Sequence, residues 1–166
     1  MSEPAQSAHP PGPDNAQVSA HLAGVARRHA DRASLQIVAR TAADRPIEAI
    51  VLTDPRTDPA DKQHVLVVAG QHGNEETARR VALRLIDHLL STTARTLLER
   101  QTFGILPNLS PDAAAHDSYT TPAGIKPNLD HATGGAVSPE ARAFESIARQ
   151  WQPELYVDLH ARGHAG

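Results

Sequence analysis

The stretch VVAGQHGNEE, residues 67–76, joins an apolar run directly to a polar turn that contains His72 and Glu75. The run HVLVVAG, residues 64–70, is typical of a strand that is buried on both faces of a sheet. The segment NEETARRVALRLIDHLLS, residues 74–91, repeats apolar residues at helical spacing. The sequence therefore predicts a buried strand that turns at once into a helix, with polar side chains at the junction.

Strand and helix patterns alternate along the rest of the chain. Runs rich in β-branched residues predict strands at residues 34–40 and 47–53, and residues 102–109 and 154–160 resemble further strands. Helical spacing predicts helices at residues 17–30 and 138–151, the second with Ser138 as its N-cap. The first two strands are close enough in sequence to form a hairpin or meander at one sheet edge. The fold class is therefore α/β, with a mixed, largely parallel sheet flanked by helices.

The helix after residue 74 has two adjacent apolar stripes that are expected to pack on the sheet. The members of these stripes are Val81, Leu85, Leu89, Ala82, Ile86 and Leu90. The segment that follows the next strand, residues 110–137, has no sustained period. Long irregular connections of this kind are more often functional than idle, so this segment is a candidate part of a site.

Composition limits the classes of function. The 166 residues suit one domain, expected over residues 17–166, after a loose Pro- and Ser-rich tail at residues 1–16. The net charge is -3, and the Lys and Arg residues form no basic stripe, so nucleic acid and membrane surfaces are not expected partners. No signal-like leader or apolar span is visible, which predicts a cytoplasmic location. There is no cysteine, so a metal would need His, Asp or Glu ligands.

Three side chains are predicted to converge at one sheet edge. His72 follows one strand and His160 ends another, so both lie at the carboxyl edge if these strands are parallel. Glu75, three residues after His72, can face the same point. Two imidazoles and a carboxylate form the ligand set of a catalytic zinc site. Asp158 is a possible outer partner of His160.

Simpler readings of these residues remain open. A His-x-x-Glu spacing arises easily by chance in a chain with ten histidines, and a histidine at a helix start can be a capping or surface residue. His131 and His164 are possible substitutes as ligands. Gly73 is expected to permit the tight turn after the strand.

Four motifs together resemble the zinc carboxypeptidase family, including its succinylglutamate desuccinylase and aspartoacylase branch. They are VLVVAGQHGNEE (65–76), ILPNLSPD (105–112), GIKPNLDH (124–131) and PELYVDLH (153–160). Their order also resembles that of the family, and the resemblance extends over about residues 17–166. It implies one zinc ion held by His72, Glu75 and His160. It further implies that metal-bound water attacks the amide bond of a peptide or an N-acyl amino acid.

The resemblance assigns Asn128 to a substrate carboxylate, but nearby positions depart from the family. The arginine that normally follows this asparagine is replaced by Leu129. A second arginine, expected shortly before Gly124, is absent, and Tyr119 or a threonine stands near its place. Lys126 is a possible substitute charge, although a lysine lacks the bidentate fork of arginine and can equally be a solvated loop residue.

The resemblance also implies a general-base glutamate on a strand well beyond His160, whereas the chain ends at Gly166. The sequence is therefore expected to be the N-terminal portion of a longer, C-terminally incomplete catalytic domain. The leading hypothesis is a zinc-dependent amide hydrolase, either a metallocarboxypeptidase or an N-acyl amino acid deacylase. The alternatives are a non-catalytic zinc-binding remnant and a binding module without metal.

Overall fold

The structure, a computed structural model, describes residues 12–131 and 134–161. The helices are α1 Asn15–Arg28, α2 Glu76–Leu89, α3 Arg95–Arg100, α4 Pro111–Ala115, α5 Pro127–Asp130 and α6 Pro139–Trp151. The strands are β1 Ala33–Arg40, β2 Pro46–Leu52, β3 Gln63–Ala69, β4 Gln101–Leu106 and β5 Leu155–Leu159, and a short 3-10 turn covers Pro59–Asp61.

The five described strands form one mixed sheet in the order β1-β2-β4-β3-β5. β1 pairs with β2 as the predicted antiparallel hairpin at the sheet edge, and β2 pairs antiparallel with β4. β3 runs parallel to both β4 and β5. The prediction of a mixed sheet flanked by helices is confirmed, and β5 brings the end of its strand beside the end of β3.

Side chains alternate between two apolar layers on the two faces of the sheet. On one face, Val65 and Val67 of β3 pack with residues of α1 and α2. On the other face, Leu66 and Val68 pack with Ile147 and neighbouring residues of α6. Successive side chains of a strand point to opposite faces, so a strand covered on both sides needs apolar residues throughout. The unbroken run in β3 follows from this position.

Helix α2 packs through a stripe that differs in part from the predicted one. Ala82, Ile86 and Leu89 are buried, as predicted, whereas Val81 is 47% exposed and Leu83 is buried in its place. The sheet-facing side of α2 is therefore rotated relative to the predicted pair of stripes, and the placement of Val81 in the core was wrong.

The start of α6 agrees with the predicted cap, whereas the start of α1 differs from the prediction. The side chain of Ser138, the predicted N-cap of α6, accepts a hydrogen bond from the backbone N–H of Ala141 at 3.1 Å. Helix α1 begins at Asn15, two residues before the predicted start, because Asp14 forms a capping box with Gln17. Residues 1–11 of the predicted tail lie outside the described residues. Within the described ranges, none of the helices has both the length and the apolar character needed to cross a bilayer.

Candidate metal centre

The turn after β3 brings His72 and Glu75 into contact. Gly70 has a φ of 63°, a left-handed conformation that glycine adopts without strain, and it lets the backbone leave the strand. Glu75 is the last residue before α2, so its side chain lies at the N-terminus of the helix. Nδ1 of His72 lies 3.0 Å from Oε1 of Glu75.

Gly73 has a different role from the one that the sequence suggested. It lies outside the left-handed region, and the tight-turn conformation belongs to Gly70. A Cβ at Gly73 would lie 2.0 Å from the carbonyl carbon of Ala113, in α4. Glycine is needed here because the turn packs directly against the backbone of α4.

His160 completes the cluster from the end of β5. The parallel register pairs Ala69 with Leu159, so the residues after both strands emerge at the same edge of the sheet. Nδ1 of His160 lies 2.9 Å from Oε2 of Glu75. One ligand-type atom each from His72, Glu75 and His160 lies within 4.8 Å of the others. The convergence that the sequence predicted is therefore present in the fold.

Both imidazoles also have an acceptor on the nitrogen that faces away from Glu75. Nε2 of His160 lies 3.1 Å from Oδ2 of Asp158, as the sequence suggested. Asp158 in turn accepts hydrogen bonds from the buried side-chain amide of Gln71, at 2.8 Å to each oxygen. Nε2 of His72 lies 3.1 Å from Oδ1 of Asn128. Each histidine thus presents Nδ1 to the centre of the cluster.

The long segment after β4 contacts both the ring of His72 and the turn that carries it. The ring of Tyr119 stacks on the imidazole with a centroid distance of 3.9 Å and an interplanar angle of 23°. The carbonyl of Ser118 accepts hydrogen bonds from the backbone N–H groups of Gly73 at 2.7 Å and Asn74 at 3.2 Å. These contacts fix the turn that carries the histidine.

Burial and charge differ between the two sides of the cluster. The side chains of His72 and Glu75 are 2% and 6% exposed, whereas that of His160 is 35% exposed. Burial disfavours a charge on His160, but the carboxylates of Glu75 and Asp158 outweigh burial and raise its pKa. The cluster is therefore closed on the α2 side and open to solvent beside β5.

The remaining predicted residues lie around this centre. Leu129 is 56% exposed, and Nζ of Lys126 lies 5.0 Å from the ring centroid of Tyr119. The ring of His131 contacts that of Phe144 in a tilted arrangement, with a centroid distance of 4.3 Å and an interplanar angle of 37°, and burial lowers the pKa of His131. His131 is not part of the His–Glu–His cluster among the described residues, and His164 lies outside them.

Three contacts of the site could not be predicted from the sequence. Gln71 precedes His72 directly, yet a glutamine at this position has no sequence pattern of its own, and its hydrogen bonds to Asp158 join the turn after β3 to β5. Ser118 acts through its backbone carbonyl, which no side-chain motif can report. The sequence places Tyr119 only near the position of the absent arginine, and its stacking on His72 depends on the path of the loop.

The fold and the cluster define an α/β domain with a group of side chains that could hold a metal ion at the carboxyl edge of its sheet. The family model for zinc carboxypeptidase matches residues 18–133, and the chain belongs to this family. No curated protein sequence matches the chain.

Solved structures share this fold. A metallo-carboxypeptidase from Burkholderia cenocepacia is 29% identical, with a TM-score of 0.80, and the match covers 89% of this chain and 40% of that one. The carboxypeptidase A from Helicoverpa armigera is 18% identical, with a TM-score of 0.84, and the match covers 92% of this chain and 46% of that one. The chain therefore spans less than half the length of either structure.

Proposed function

We propose that the protein is a zinc-dependent hydrolase of amide bonds whose metal is held by His72, Glu75 and His160. The observation that carries the proposal is the approach of both histidine Nδ1 atoms to the two oxygens of one carboxylate. Membership of the zinc carboxypeptidase family supports the same reaction class.

The donor set suits zinc on chemical grounds. Two imidazoles and one carboxylate are typical of catalytic zinc sites, which keep a further coordination position open. A bound zinc ion supplies a Lewis acid that polarises a carbonyl oxygen and acidifies water. The chain orients both rings through Asn128 and Asp158, and the exposed side of His160 leaves room for a substrate.

The substrate is an amide with a nearby carboxylate, either at the C-terminus of a peptide or on an N-acyl amino acid. Lys126 is the only basic residue between Pro107 and Ala141 apart from His116 and His131. Its Nζ lies over the ring of Tyr119, which itself stacks on His72. Lys126 therefore supplies the positive charge for the carboxylate in place of the arginine that Leu129 replaces. A single ammonium group lacks the bidentate geometry of an arginine fork, so it binds a carboxylate less selectively.

Metal content tests the proposal directly. Protein purified without chelator is expected to contain about one zinc per chain, and His72→Ala is expected to lose it. His116→Ala is the matched control, since His116 is an exposed histidine that follows α4. Equal zinc in all three proteins would contradict the ligand assignment. The zinc-loaded protein is then assayed on peptides with a free C-terminus and on N-acyl amino acids.

A specific observation favours a second candidate, which is zinc binding without turnover. Both carboxylates at the cluster, Glu75 and Asp158, are hydrogen-bonded to imidazole nitrogens, so neither is free to act as the general base. In that case the protein retains zinc and shows no hydrolysis above the His72→Ala background. Turnover that requires zinc would exclude this candidate.

A further inference from the structure

Asn128 contacts a proposed metal ligand rather than open solvent. Its Oδ1 lies 3.1 Å from Nε2 of His72, while Nδ1 of the same ring lies 3.0 Å from Glu75. An amide oxygen only accepts hydrogen bonds, so Nε2 must carry the hydrogen in this contact. The carboxylate of Glu75 also only accepts hydrogen bonds, so a metal ion bound at Nδ1 would take the place of the hydrogen that faces Glu75, while the hydrogen on Nε2 stays with Asn128.

We propose that Asn128 is a positioning residue that fixes the tautomer and the orientation of His72 for metal binding through Nδ1. The proposal rests on the proposed zinc site, and it replaces the role in substrate binding that the family resemblance implied for Asn128. With its Oδ1 on the imidazole, Asn128 acts on the metal through His72.

The surroundings of Asn128 are suited to this role. It lies in α5, and the Asp130 side chain of the same short helix accepts hydrogen bonds from the backbone N–H groups of Val137 and Ser138 at the start of α6. The Ser138 hydroxyl donates to Asp130 as well, at 2.7 Å. These hydrogen bonds hold α5 against the start of α6. Helix α6 in turn packs on the sheet whose strand β3 leads to His72. A side chain anchored in this way can hold a ring orientation.

His160 offers an internal comparison, because the same arrangement recurs there with a charged acceptor. Its Nε2 faces Asp158 and its Nδ1 faces Glu75. An acceptor on the outer nitrogen orients a ligating imidazole and raises its basicity, and a carboxylate does so more strongly than an amide. Replacing Asn128 by aspartate should therefore preserve or strengthen metal binding, whereas a side chain without an acceptor should weaken it.

The test is the zinc Kd of the full chain, measured by competition with a chromophoric chelator at neutral pH. Asn128→Leu is expected to weaken zinc binding by about 10- to 100-fold, the usual effect of losing an outer partner. Asn128→Asp is expected to bind zinc at least as tightly as the wild type. Leu129→Ala, an exposed position in the same helix, is the matched control and should leave the Kd unchanged.

A second measurement separates orientation from a general loss of structure. Long-range proton–nitrogen NMR spectra of the zinc-loaded wild type should show His72 with its hydrogen on Nε2 alone. In the zinc-loaded Asn128→Leu variant, if it folds, His72 should show a mixture of rings with the hydrogen on Nε2 and rings with the hydrogen on Nδ1. Asn128→Asp should again show the hydrogen on Nε2 alone. If Asn128→Leu does not fold, the Asn128→Asp variant decides, because a ten-fold weaker Kd in that variant would overturn the proposal.

The outcomes distinguish this proposal from the proposed function. If the wild type binds no zinc, the proposed metal site fails and the role of Asn128 fails with it. If the wild type binds zinc and Asn128→Leu binds it equally well, only the positioning role is overturned. An unchanged zinc Kd with a raised KM in Asn128→Leu would instead assign Asn128 to the substrate.

Discussion

Gly73 is the residue at the site with the least room for a side chain. Its backbone packs against the backbone of Ala113, and an added Cβ would lie 2.0 Å from that carbonyl carbon. Because the neighbour is backbone, neither side can give way without moving the turn or α4. We expect Gly73→Ala to lower the free energy of unfolding by about 1–3 kcal/mol, as overpacking does, and to weaken zinc binding. Urea unfolding followed by circular dichroism measures the first effect, and chelator competition measures the second.

Gly135→Ala is the control for this substitution. A Cβ at Gly135 meets no atom within 4 Å, so the variant should keep the stability and the zinc Kd of the wild type. Equal unfolding free energies for the two variants would show that the contact between the turn and α4 is looser than the structure describes.

Lys126 is the residue whose ammonium group is expected to bind the carboxylate of the substrate. Removing the ammonium in Lys126→Gln should raise the KM of a substrate with a free carboxylate several-fold, at most about ten-fold for one screened ion pair. The KM of the same substrate with an amidated carboxyl group should stay unchanged and serves as the control. Leu129→Arg should lower the KM of the free-carboxylate substrate. If KM responds equally for both substrates, Lys126 does not contact the carboxylate.

Secondary structure was largely predictable at the level of elements, because the long elements carry strong local patterns. All five strands and the helices α1, α2 and α6 agree with their periodicity in the sequence. The short helices α3, α4 and α5 were not predicted, since four to six residues span too few turns to show a period. Strand order depends on pairing between distant segments, and β4 lies between β2 and β3 because of long-range packing that no local window contains.

The contact between the β1–β2 turn and α4 depends on one buried carboxylate. The Asp112 side chain accepts hydrogen bonds from the Thr41 hydroxyl at 2.7 Å, the Ala43 N–H at 3.1 Å and Arg45 at 2.8 Å. Burial raises the pKa of Asp112, but these hydrogen bonds outweigh burial, and the net pKa lies below its ordinary value. Asp112 therefore stabilises α4, against which the turn that carries His72 and Glu75 packs.

This arrangement predicts a pH dependence of stability. A carboxyl group whose pKa is lower in the folded state contributes its full stability above its unfolded pKa of about 3.9. That contribution is lost as the pH falls from there through the folded pKa. Asp112→Asn should cost about 1–3 kcal/mol near neutral pH, and the difference from the wild type should shrink below about pH 4. Urea unfolding at a series of pH values measures this difference.

The same turn provides the matched substitution. The Asp44 side chain is 84% exposed, so Asp44→Asn should leave the unfolding free energy nearly unchanged at every pH. A constant difference between Asp112→Asn and the wild type down to strongly acidic pH would contradict the role assigned to the Asp112 carboxylate.

The candidate site joins parts of the molecule that are distant in sequence. Glu75 and His160 are 85 residues apart, and His72 and Asn128 are 56 apart. The sequence could indicate that these candidate ligands converge, because they follow recognisable strands and the parallel arrangement of β3 and β5 brings the strand ends together. It could not indicate what surrounds them, because the path of the segment between β4 and α6 is decided by tertiary contacts such as the one between Gly73 and Ser118.

Zinc bound by the proposed ligands should therefore connect the end of β5 to the turn that follows β3. β5 has partners in the described sheet only on its β3 side, and Leu155 is 51% exposed, so few apolar contacts oppose its local opening. A ligand that binds only the closed state stabilises it, by about 2.7 kcal/mol at a concentration one hundred times its Kd. We expect zinc to slow amide hydrogen exchange in β5 and in residues 71–76, and to leave the β1–β2 hairpin almost unchanged. Hydrogen-exchange mass spectrometry with and without zinc measures this, and His160→Ala should abolish the zinc effect in β5. Equal slowing in the hairpin and in β5 would instead mean that zinc stabilises the whole fold and that β5 does not open independently.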